Sequence, residues 1–459
     1  MKPILVIQMQ RMGDLILSFP LLLWLRRRFP AHPVWVAAEP RFARPLQSLS
    51  PEVRYLDHAD LGSMAGEKFS LVVNLSHRPE SLELAGRLIT DQLVGGYRRD
   101  GVTRVAGTWQ EYRLSLTHNN RHNRFHWADM NALDVVDPAT MAATGWPSPR
   151  IMPPHVRQIG LFLGASESAK RPTADFWAGL VQELERHGWV PVLLGGPDET
   201  TLCRDVQALS RRPVASACGR LGLDRFVLFG QELAALITPD TGPMHLAAWS
   251  GLRVLNLSMG PVHAWETGPY QPGHVILRSG LDCVGCWQCR FDVPRCHDPF
   301  TPGRVARVLE LMLHGAGERL PGLRLPGLEI LGTDRENGLY SLVPISVRFK
   351  ASHALGRYWH QFWRLAFGLG QEKDSLEAVG QLRRGHATLA TALTVESLRF
   401  LRLLTAGRDG HIPDWQGFSP ALRPLSGYVA THLENNDGSP SSRKRAVGLV
   451  EHHLALLSS

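Results

Sequence analysis

The feature that most constrains this fold is a strand–loop–helix pattern that occurs twice. Residues 3–9, PILVIQM, are an apolar run followed by the glycine-containing QRMGD and by LILSFPLLLWLRRRF, whose apolar residues have helical spacing. Residues 158–166, QIGLFLGAS, begin the same pattern again after the proline-rich GWPSPRIMPPH. Because alternating strands and helices build parallel sheets covered by helices, the sequence predicts an α/β fold with two doubly wound sheets.

The chain has 459 residues, which is too long for one ordinary core. We expect one Rossmann-like domain over residues 1–150 and a second over residues 151–320. The alternation stops there, and residues 321–338, PGLRLPGLEILGTDRENG, have the composition of a linker. Residues 331–459 then predict an accessory helical region, and no motif in it indicates a chemistry.

The composition predicts a globular protein with acidic partners. Hydrophobic residues make up 44% and charged residues 20% of the chain, and the formal net charge is +8. The apolar stretch LILSFPLLLWL is about half as long as a bilayer crossing and contains Pro20. No signal-peptide cleavage site is evident, so we expect a cytoplasmic protein that can rest on a membrane face.

Two strand-to-helix junctions in the second half suit an anion. In LITPDTGPMHLAAWSG, Thr241 fits the N-cap position, and backbone N–H groups of the next turn attract negative charge. His245 would add a hydrogen bond or a positive charge, whereas Asp240 suits sugar hydroxyls better than a phosphate. In GASESAKRPTADFW, Ser166 and Lys170 could hold a diphosphate. The alternative is that both loops only cap their helices.

The segments MGDLILSFPLLLWLRRRFP, GASESAKRPTADFWAGLVQEL, VPVLLGGPDE and PDTGPMHLAAWSG, in this order, resemble glycosyltransferase family 9. This is the family of the ADP-heptose lipopolysaccharide heptosyltransferases, and the resemblance covers roughly residues 1–315. It implies a GT-B architecture of two Rossmann-like domains, the first for the acceptor and the second for the nucleotide sugar. It also implies inverting transfer of a sugar, expected to be heptose, from an ADP-activated donor to a cell-envelope saccharide such as lipopolysaccharide core. The cytoplasmic face of the inner membrane is where such an enzyme would act.

The resemblance implies a role for Asp14 as the general base that deprotonates the acceptor hydroxyl. A carboxylate at a helix N-terminus would be kept ionised by the local dipole. The alternative is that Asp14 merely caps the helix.

The resemblance also implies a donor site in the second domain. Lys170 would offset the charge of the departing diphosphate, and Asp224 in RLGLDRF is the nearest candidate for binding the ribose. The chain contains no D-x-D acid pair, so no catalytic divalent cation is expected. The implied donor-binding residues are Ser166, Lys170, Asp224, Asp240, Thr241, Gly242 and His245.

Basic residues in the first half predict an anionic acceptor. Arg78, Arg98 and Arg99 accompany the run THNNRHNRFHWADMNALD, and phosphorylated or carboxylated core sugars would suit this charge. The alternative is a solvated face whose charge is balanced by Asp129 and Asp134.

The stretch CVGCWQCRFDVPRC, residues 283–296, holds four of the six cysteines. The spacing of Cys283, Cys286, Cys289 and Cys296 allows four thiolates to converge on a tetrahedral ion, so a structural zinc or iron site is predicted. Unmetallated thiols or disulfides are the alternatives, as is His297 in place of one cysteine.

Three other functions stay open at this point. A protein heptosyltransferase that modifies an autotransporter or flagellar protein would use the helical region to recruit its acceptor. A metal-stapled, basic nucleic-acid-binding protein would explain the charge and the cysteines, but it would leave the anion-suited loops without a purpose, so no nucleic-acid partner is expected. An epimerase or hydrolase of nucleotide sugars would turn over the donor without any acceptor.

Overall fold

The computed structural model describes residues 1–57, 66–283, 286–313, 322–406 and 414–459. Strands and helices alternate up to α13, and helices follow the last strand. The strands are β1 (Ile4–Ile7), β2 (Val34–Ala38), β3 (Arg54–Asp57), β4 (Lys68–Phe69), β5 (Leu71–Asn74), β6 (Ile89–Thr90), β7 (Leu93–Arg99), β8 (Val102–Ala106), β9 (Gln158–Phe162), β10 (Val190–Leu194), β11 (Ala215–Ser216), β12 (Ala235–Pro239), β13 (Val254–Ser258), β14 (Val275–Ser279), β15 (Leu328–Glu336) and β16 (Leu339–Ser346). The helices are α1 (Met12–Ile16), α2 (Phe19–Arg28), α3 (Pro40–Ala43), α4 (Pro79–Arg87), α5 (Thr108–Ser115), α6 (Trp127–Met130), α7 (Pro138–Ala142), α8 (Ala174–Arg186), α9 (Thr200–Leu209), α10 (Leu223–Gly230), α11 (Gly242–Trp249), α12 (Ala264–Thr267), α13 (Pro302–Leu313), α14 (Ala351–Ala366), α15 (Glu372–Gly385), α16 (Ala387–Ala406), α17 (Arg423–Asn435) and α18 (Pro440–Ser458).

The first sheet has the strand order β3-β2-β1-β5-β7-β8 and is parallel except for its last pair. The apolar run at the N-terminus becomes β1, whose four residues are all buried. Ile4 and Val6 belong to one core cluster, and Leu5 and Ile7 belong to another. The sheet is therefore covered on both faces, as a continuous apolar strand requires.

The second sheet has the order β11-β10-β9-β12-β13-β14-β15-β16. Its first six strands are parallel and follow the order of a dinucleotide-binding fold. The predicted α/β fold with two doubly wound sheets is confirmed, and the helical C-terminal segment is present.

The linker predicted over residues 321–338 is wrong. Strands β15 and β16 continue the second sheet as an antiparallel hairpin. Asn337 and Gly338 form its turn with φ of +53° and +82°, and an Asn-Gly pair between two apolar runs favours such a turn. Buried Ile330 and Tyr340 supply core contacts that a linker would lack, so the helices begin only at Ala351.

The C-terminal helices pack on the rest of the chain rather than standing apart. Helix α14 buries Tyr358, Trp359, Phe362 and Trp363, and these side chains share one core cluster with the first sheet. Helix α17 contacts α5 of the first half. Among the described residues, we find no helix with the length and apolar character needed to span a bilayer.

The topology brings the loops after β1, β9 and β12 to strand ends that favour ligand binding. Strands β9 and β12 are neighbours, and the strand order reverses between them. Ligands bind outside the carboxyl ends of parallel strands at such a switch point. The loop that contains Ser166 follows β9, and Asp240 follows β12.

Candidate functional site

The helix that starts the first half meets the helix that follows β12. Gly13 in α1 approaches Gly242 in α11 so closely that a Cβ on Gly13 would lie 3.7 Å from the Gly242 Cα and 3.7 Å from the His245 ring. A Cβ on Gly242 would in turn lie 2.8 Å from the end of the Met12 side chain. The two glycines therefore let α1, which carries Asp14, pack closely against the Asp240–His245 junction, and we call the region around this contact the cleft.

Charged side chains from both halves meet across this cleft. The Lys170 ammonium lies 3.5 Å from an Asp240 carboxylate oxygen and 3.7 Å from Glu167. The Arg11 guanidinium, from the first half, donates a hydrogen bond to the Ser166 hydroxyl at 3.2 Å and lies 3.6 Å from Glu167. Ser166, Lys170 and Asp240 are thus brought together, and Arg11 adds a second cation beside Lys170 that could bind an anionic ligand.

The His245 ring is buried and sits 3.8 Å from Asp240. Burial lowers its pKa to about 4, with Lys170 also lowering it and Asp240 opposing. His245 is therefore neutral near pH 7. Of the two roles considered from the sequence, a positive charge and a hydrogen bond, only the hydrogen bond remains. Its Nδ1 atom has no hydrogen-bond partner among the described residues.

Helix α11 begins with Thr241 as its N-cap residue, but the Thr241 side chain makes no capping hydrogen bond. The N–H groups of Met244 and His245 donate to the Thr241 carbonyl, and Pro243 has no N–H. Of the N–H groups in the first turn of α11, the Gly242 N–H is therefore the one that makes neither of these bonds and can face a ligand. The expected N-terminal anion site is narrower than predicted, because it consists of this N–H and the Thr241 hydroxyl.

Asp14 occupies the third position of α1, after the N-cap residue Arg11. Burial raises the pKa of its carboxyl group, against the lowering effects of Arg113 and of a backbone hydrogen bond at Arg11, while Asp240 raises it further. Burial thus opposes the helix dipole that the sequence analysis expected to keep this carboxylate ionised. The Asp14 carboxyl group accepts a hydrogen bond from the backbone N–H of the N-cap residue Arg11, as the third residue of a helix does in a capping box. The capping alternative therefore holds in part.

Asp224 does not join this group. It lies exposed in the first turn of α10, and no contact in the described part of the chain links its side chain to Ser166, Lys170 or Asp240. Its assignment to the ribose stays a prediction.

The cleft geometry can be compared with known proteins. Residues 135–292 match the family model described as Glycosyltransferase family 9 (heptosyltransferase). This segment is similar to glycosyltransferase family 9. The resemblance and the enzyme class predicted from the sequence, a glycosyltransferase, are thereby confirmed.

Two solved structures share the fold of this glycosyltransferase. A family 9 glycosyl transferase from Veillonella parvula is 19% identical with a TM-score of 0.52, and the match covers 68% of this chain and 97% of that one. The E. coli ADP-heptose lps heptosyltransferase II is 20% identical with a TM-score of 0.52, covering 68% and 98%. They support the GT-B architecture. No curated protein sequence matches the chain.

The four clustered cysteines line a single pocket of about 360 Å³ together with Gly260 and Pro261. His297, next in the chain after Cys296, contacts the Ala169 carbonyl at 2.8 Å. All the cysteines are free thiols, so the disulfide alternative is wrong. Within the described residues, no three His, Cys, Asp or Glu side chains lie in an arrangement that would hold a metal ion.

Some of the charged residues considered for the acceptor face have partners within the chain. Arg78 pairs with Glu39 at 2.5 Å. Asp129 is buried and accepts hydrogen bonds from the Tyr270 hydroxyl at 2.5 Å and the Tyr340 N–H at 2.8 Å. Asp134 accepts bonds from two backbone N–H groups at the start of α5. These carboxylates hold the fold, so the alternative of a solvated, charge-balanced face is wrong for both.

Three residues of the cleft were missed from the sequence. Arg113 is buried, interacts electrostatically with Asp14 and Glu266, and donates to Asn131 at 2.9 Å. Burial raises the pKa of Glu266 to about 7, although side-chain hydrogen bonds from Asn120 and Asn123 and the charge of Arg113 oppose the change. Thr267 donates to Asp240 at 3.3 Å. No local motif marks them, because each acts through a partner far away in the chain.

Proposed function

We propose that this glycosyltransferase moves a heptose from an ADP-activated donor, with inversion, to a hydroxyl of an anionic cell-envelope saccharide. The observation that carries the proposal is the meeting of Asp14 with the Lys170–Asp240 pair and the start of α11 in one cleft. The donor sugar is suggested by the E. coli relative, whose name specifies ADP-heptose and lps.

Asp14 acts as the general base in this proposal. Its carboxylate removes the proton of the acceptor hydroxyl while that oxygen attacks the anomeric carbon from the face opposite the diphosphate. The raised pKa makes the carboxylate a stronger base than an exposed aspartate. The charge of Arg113 opposes this rise by lowering the pKa of the carboxyl group.

The leaving group is held by the second half. As the bond from the anomeric carbon to the phosphate oxygen breaks, its electron pair goes to the ADP. Lys170, the Gly242 N–H and the Thr241 hydroxyl offset the new charge, while Ser166 and Arg11 hold the diphosphate. Asp240 is directed at sugar hydroxyls and is oriented by Thr267.

Calorimetric titration with ADP, UDP and GDP tests the donor half of the proposal. We expect selective binding of ADP, about tenfold or more weaker in Lys170→Ala and weaker in Thr241→Ala. Lys373→Ala removes an exposed lysine from α15 and should bind ADP like the native chain. Folded protein that binds none of the three nucleotides would contradict the proposal.

The acceptor is identified by product analysis. Incubation with ADP-heptose and either a lipopolysaccharide core saccharide or a candidate protein should give a heavier saccharide and leave the protein unmodified. A modified protein with an unmodified saccharide would replace the saccharide acceptor by a protein one. Release of ADP without either product would indicate a hydrolase.

We also propose that Cys283, Cys286, Cys289 and Cys296 close on a structural zinc or iron ion. The support is that all four line one pocket and that, after burial, the other three raise the pKa of Cys286. A cation would relieve that repulsion between thiolates. Elemental analysis of the purified chain should give one metal per chain, lost in Cys289→Ser and retained in Cys203→Ser. Four titratable thiols in metal-free, folded protein would contradict the site.

A further inference from the structure

A second polar cavity lies where the first half, the second half and the C-terminal region meet. It has a volume of about 520 Å³ including its open mouth. We call it the arginine–histidine pocket. Its lining includes the cations Arg121, Arg124, Arg278 and Lys350, the carboxylates Asp282 and Glu329, and the rings of His122, His263 and His353.

The pocket carries an excess of positive charge. Four cationic side chains face two carboxylates. Burial, together with the charges of Arg357 and Arg278, lowers the pKa of Arg124 to about 9. The Arg278 Nε has no hydrogen-bond partner among the described residues and lies 3.9 Å from Glu329. An anion in the pocket would relieve this repulsion.

Two buried histidines supply a second, independent sign of a ligand. His122 is 6% and His263 is 5% exposed, and the Nδ1 atom of each has no hydrogen-bond partner within the described residues. Buried polar atoms are normally paired, so two unpaired atoms on residues that line one cavity need an explanation.

The tautomers of these rings define the missing partner. The Nε2 of His263 faces the Arg121 carbonyl at 3.4 Å, and His122 bonds to the backbone of Pro420, which has only a carbonyl to offer. Since a carbonyl only accepts, each ring donates there. Burial lowers the pKa of both rings to about 3, so each Nδ1 is an acceptor in a neutral ring. Hydroxyl groups are suitable donors to such atoms.

The arginine–histidine pocket is close to the proposed reaction. His263 is the N-cap residue of α12, and Thr267 at the end of this helix donates to Asp240. Four helical residues span about 6 Å. A group in the pocket can therefore belong to a saccharide that extends from the cleft.

We propose that the arginine–histidine pocket binds a phosphate- or carboxylate-bearing sugar residue of the acceptor. Arg121, Lys350 and the inner arginines bind the anionic group, and His122 and His263 accept hydrogen bonds from ring hydroxyls. This proposal rests on the proposed function, because that function is what makes the bound saccharide the acceptor. The sequence run THNNRHNRFHWADMNALD thus contributes through Arg121, His122 and Arg124 rather than as a surface.

The test is calorimetric titration of the full-length protein with glucose 6-phosphate, in the presence of saturating ADP. ADP fills the diphosphate site, so the sugar phosphate must bind elsewhere. We expect saturable binding that weakens about tenfold in Arg121→Gln and in Lys350→Gln. Arg357→Gln removes a charge from α14 outside the pocket lining and should retain at least about half of the native affinity for glucose 6-phosphate.

Inorganic phosphate and glucose are the comparison probes. Weaker binding of both than of glucose 6-phosphate supports the proposal, and equal affinity of phosphate and glucose 6-phosphate overturns its saccharide part. Loss of binding only in Arg357→Gln, or no binding of glucose 6-phosphate by protein that binds ADP, overturns the pocket alone. Protein that binds no ADP contradicts the proposed function instead, so the two failures are distinguishable.

Discussion

Two buried polar regions of this glycosyltransferase are built in opposite ways. At the contact between α5 and α17, Glu111 is 5% exposed and receives hydrogen bonds at 3.0 and 3.1 Å from His432, 3.2 Å from Tyr428, 3.1 Å from Asn435 and 3.2 Å from Asn436. In the cleft, the charged pairs around Lys170 and Asp240 are 3.5 to 3.8 Å apart. Short contacts that surround a buried carboxylate stabilise a fold, whereas longer ones leave charged groups available to a ligand.

The largest expected effect separates chemistry from binding in the cleft. Asp14→Asn should lower the rate of sugar transfer by about 10²–10⁴-fold, because the amide cannot accept the acceptor proton. Affinity for ADP should change little, since the carboxylate serves the acceptor side. Steady-state kinetics with ADP-heptose measures the first quantity and calorimetry the second. Transfer that persists within about tenfold of the native rate would remove Asp14 as the base.

The contact between α5 and α17 should respond in stability and not in binding. Glu111→Ala should lower the free energy of unfolding by about 3–5 kcal/mol, because it leaves the buried His432 Nδ1 and the Tyr428 hydroxyl without their carboxylate. Denaturant titration measures this change, with exposed Glu372→Ala as the control. A variant that loses ADP affinity but keeps its stability would reverse the comparison.

The same contact has a pH dependence of defined sign. Although burial raises the pKa of Glu111, its hydrogen bond and charge interaction with His432 and bonds from Asn435 and Tyr428 leave that pKa below its usual value. The folded pKa is thus below the unfolded one, so the stabilisation is present above the unfolded pKa and is lost as the pH falls through the folded pKa. The stability difference between the native chain and Glu111→Ala should shrink in acid. A difference that grows as the pH falls would contradict this account.

Lys170→Ala should have the opposite profile to Glu111→Ala. Because its ion pairs are long and part of its side chain reaches solvent, the free energy of unfolding should change by only about 1 kcal/mol. Thermal unfolding without ligand measures this. Destabilisation as large as that in Glu111→Ala would mean that the cleft is held together like the helix contact.

The smallest expected effect concerns Arg113, which lies between Asp14 and Glu266. Its charge lowers the pKa of Asp14, so Arg113→Lys should leave the acid limb of kcat/KM near its native position and Arg113→Gln should move it to higher pH. Transfer requires the ionised base, so the rate rises with pH through that limb. Identical limbs in the two variants would exclude this influence on Asp14.

Much of the fold was predictable because its signals are local. The apolar runs at β1, β9 and β12 and the turn residues after them specify strands followed by loops. The hairpin of β15 and β16 was missed because proline and glycine in residues 321–338 outweighed the Asn-Gly signal. A turn dipeptide between two apolar runs could have identified it.

The site was predictable only where a motif carries it. Ser166, Lys170 and Asp240 stand at strand ends, so the topology brings them together. Gly13 against Gly242 depends on how the two halves pack, and Glu111 meets residues more than 300 positions away. Burial decides the roles of other charged residues. The sequence allowed Asp129 to be a solvated charge, whereas in the structure it is buried and accepts hydrogen bonds.

The most direct test of the comparison is the rise in Tm that ADP causes in the native chain, Glu111→Ala and Lys170→Ala. A ligand that binds only the folded state stabilises it by about 2.7 kcal/mol at one hundred times its Kd. We predict equal increases in the native chain and in Glu111→Ala, despite the lower starting Tm of the variant. In Lys170→Ala, whose ADP affinity should be about tenfold lower, the stabilisation at the same ADP concentration should fall to about half of the native value or less. An undiminished increase in Lys170→Ala, or no increase in the native chain, would contradict the assignment of the cleft as the donor site.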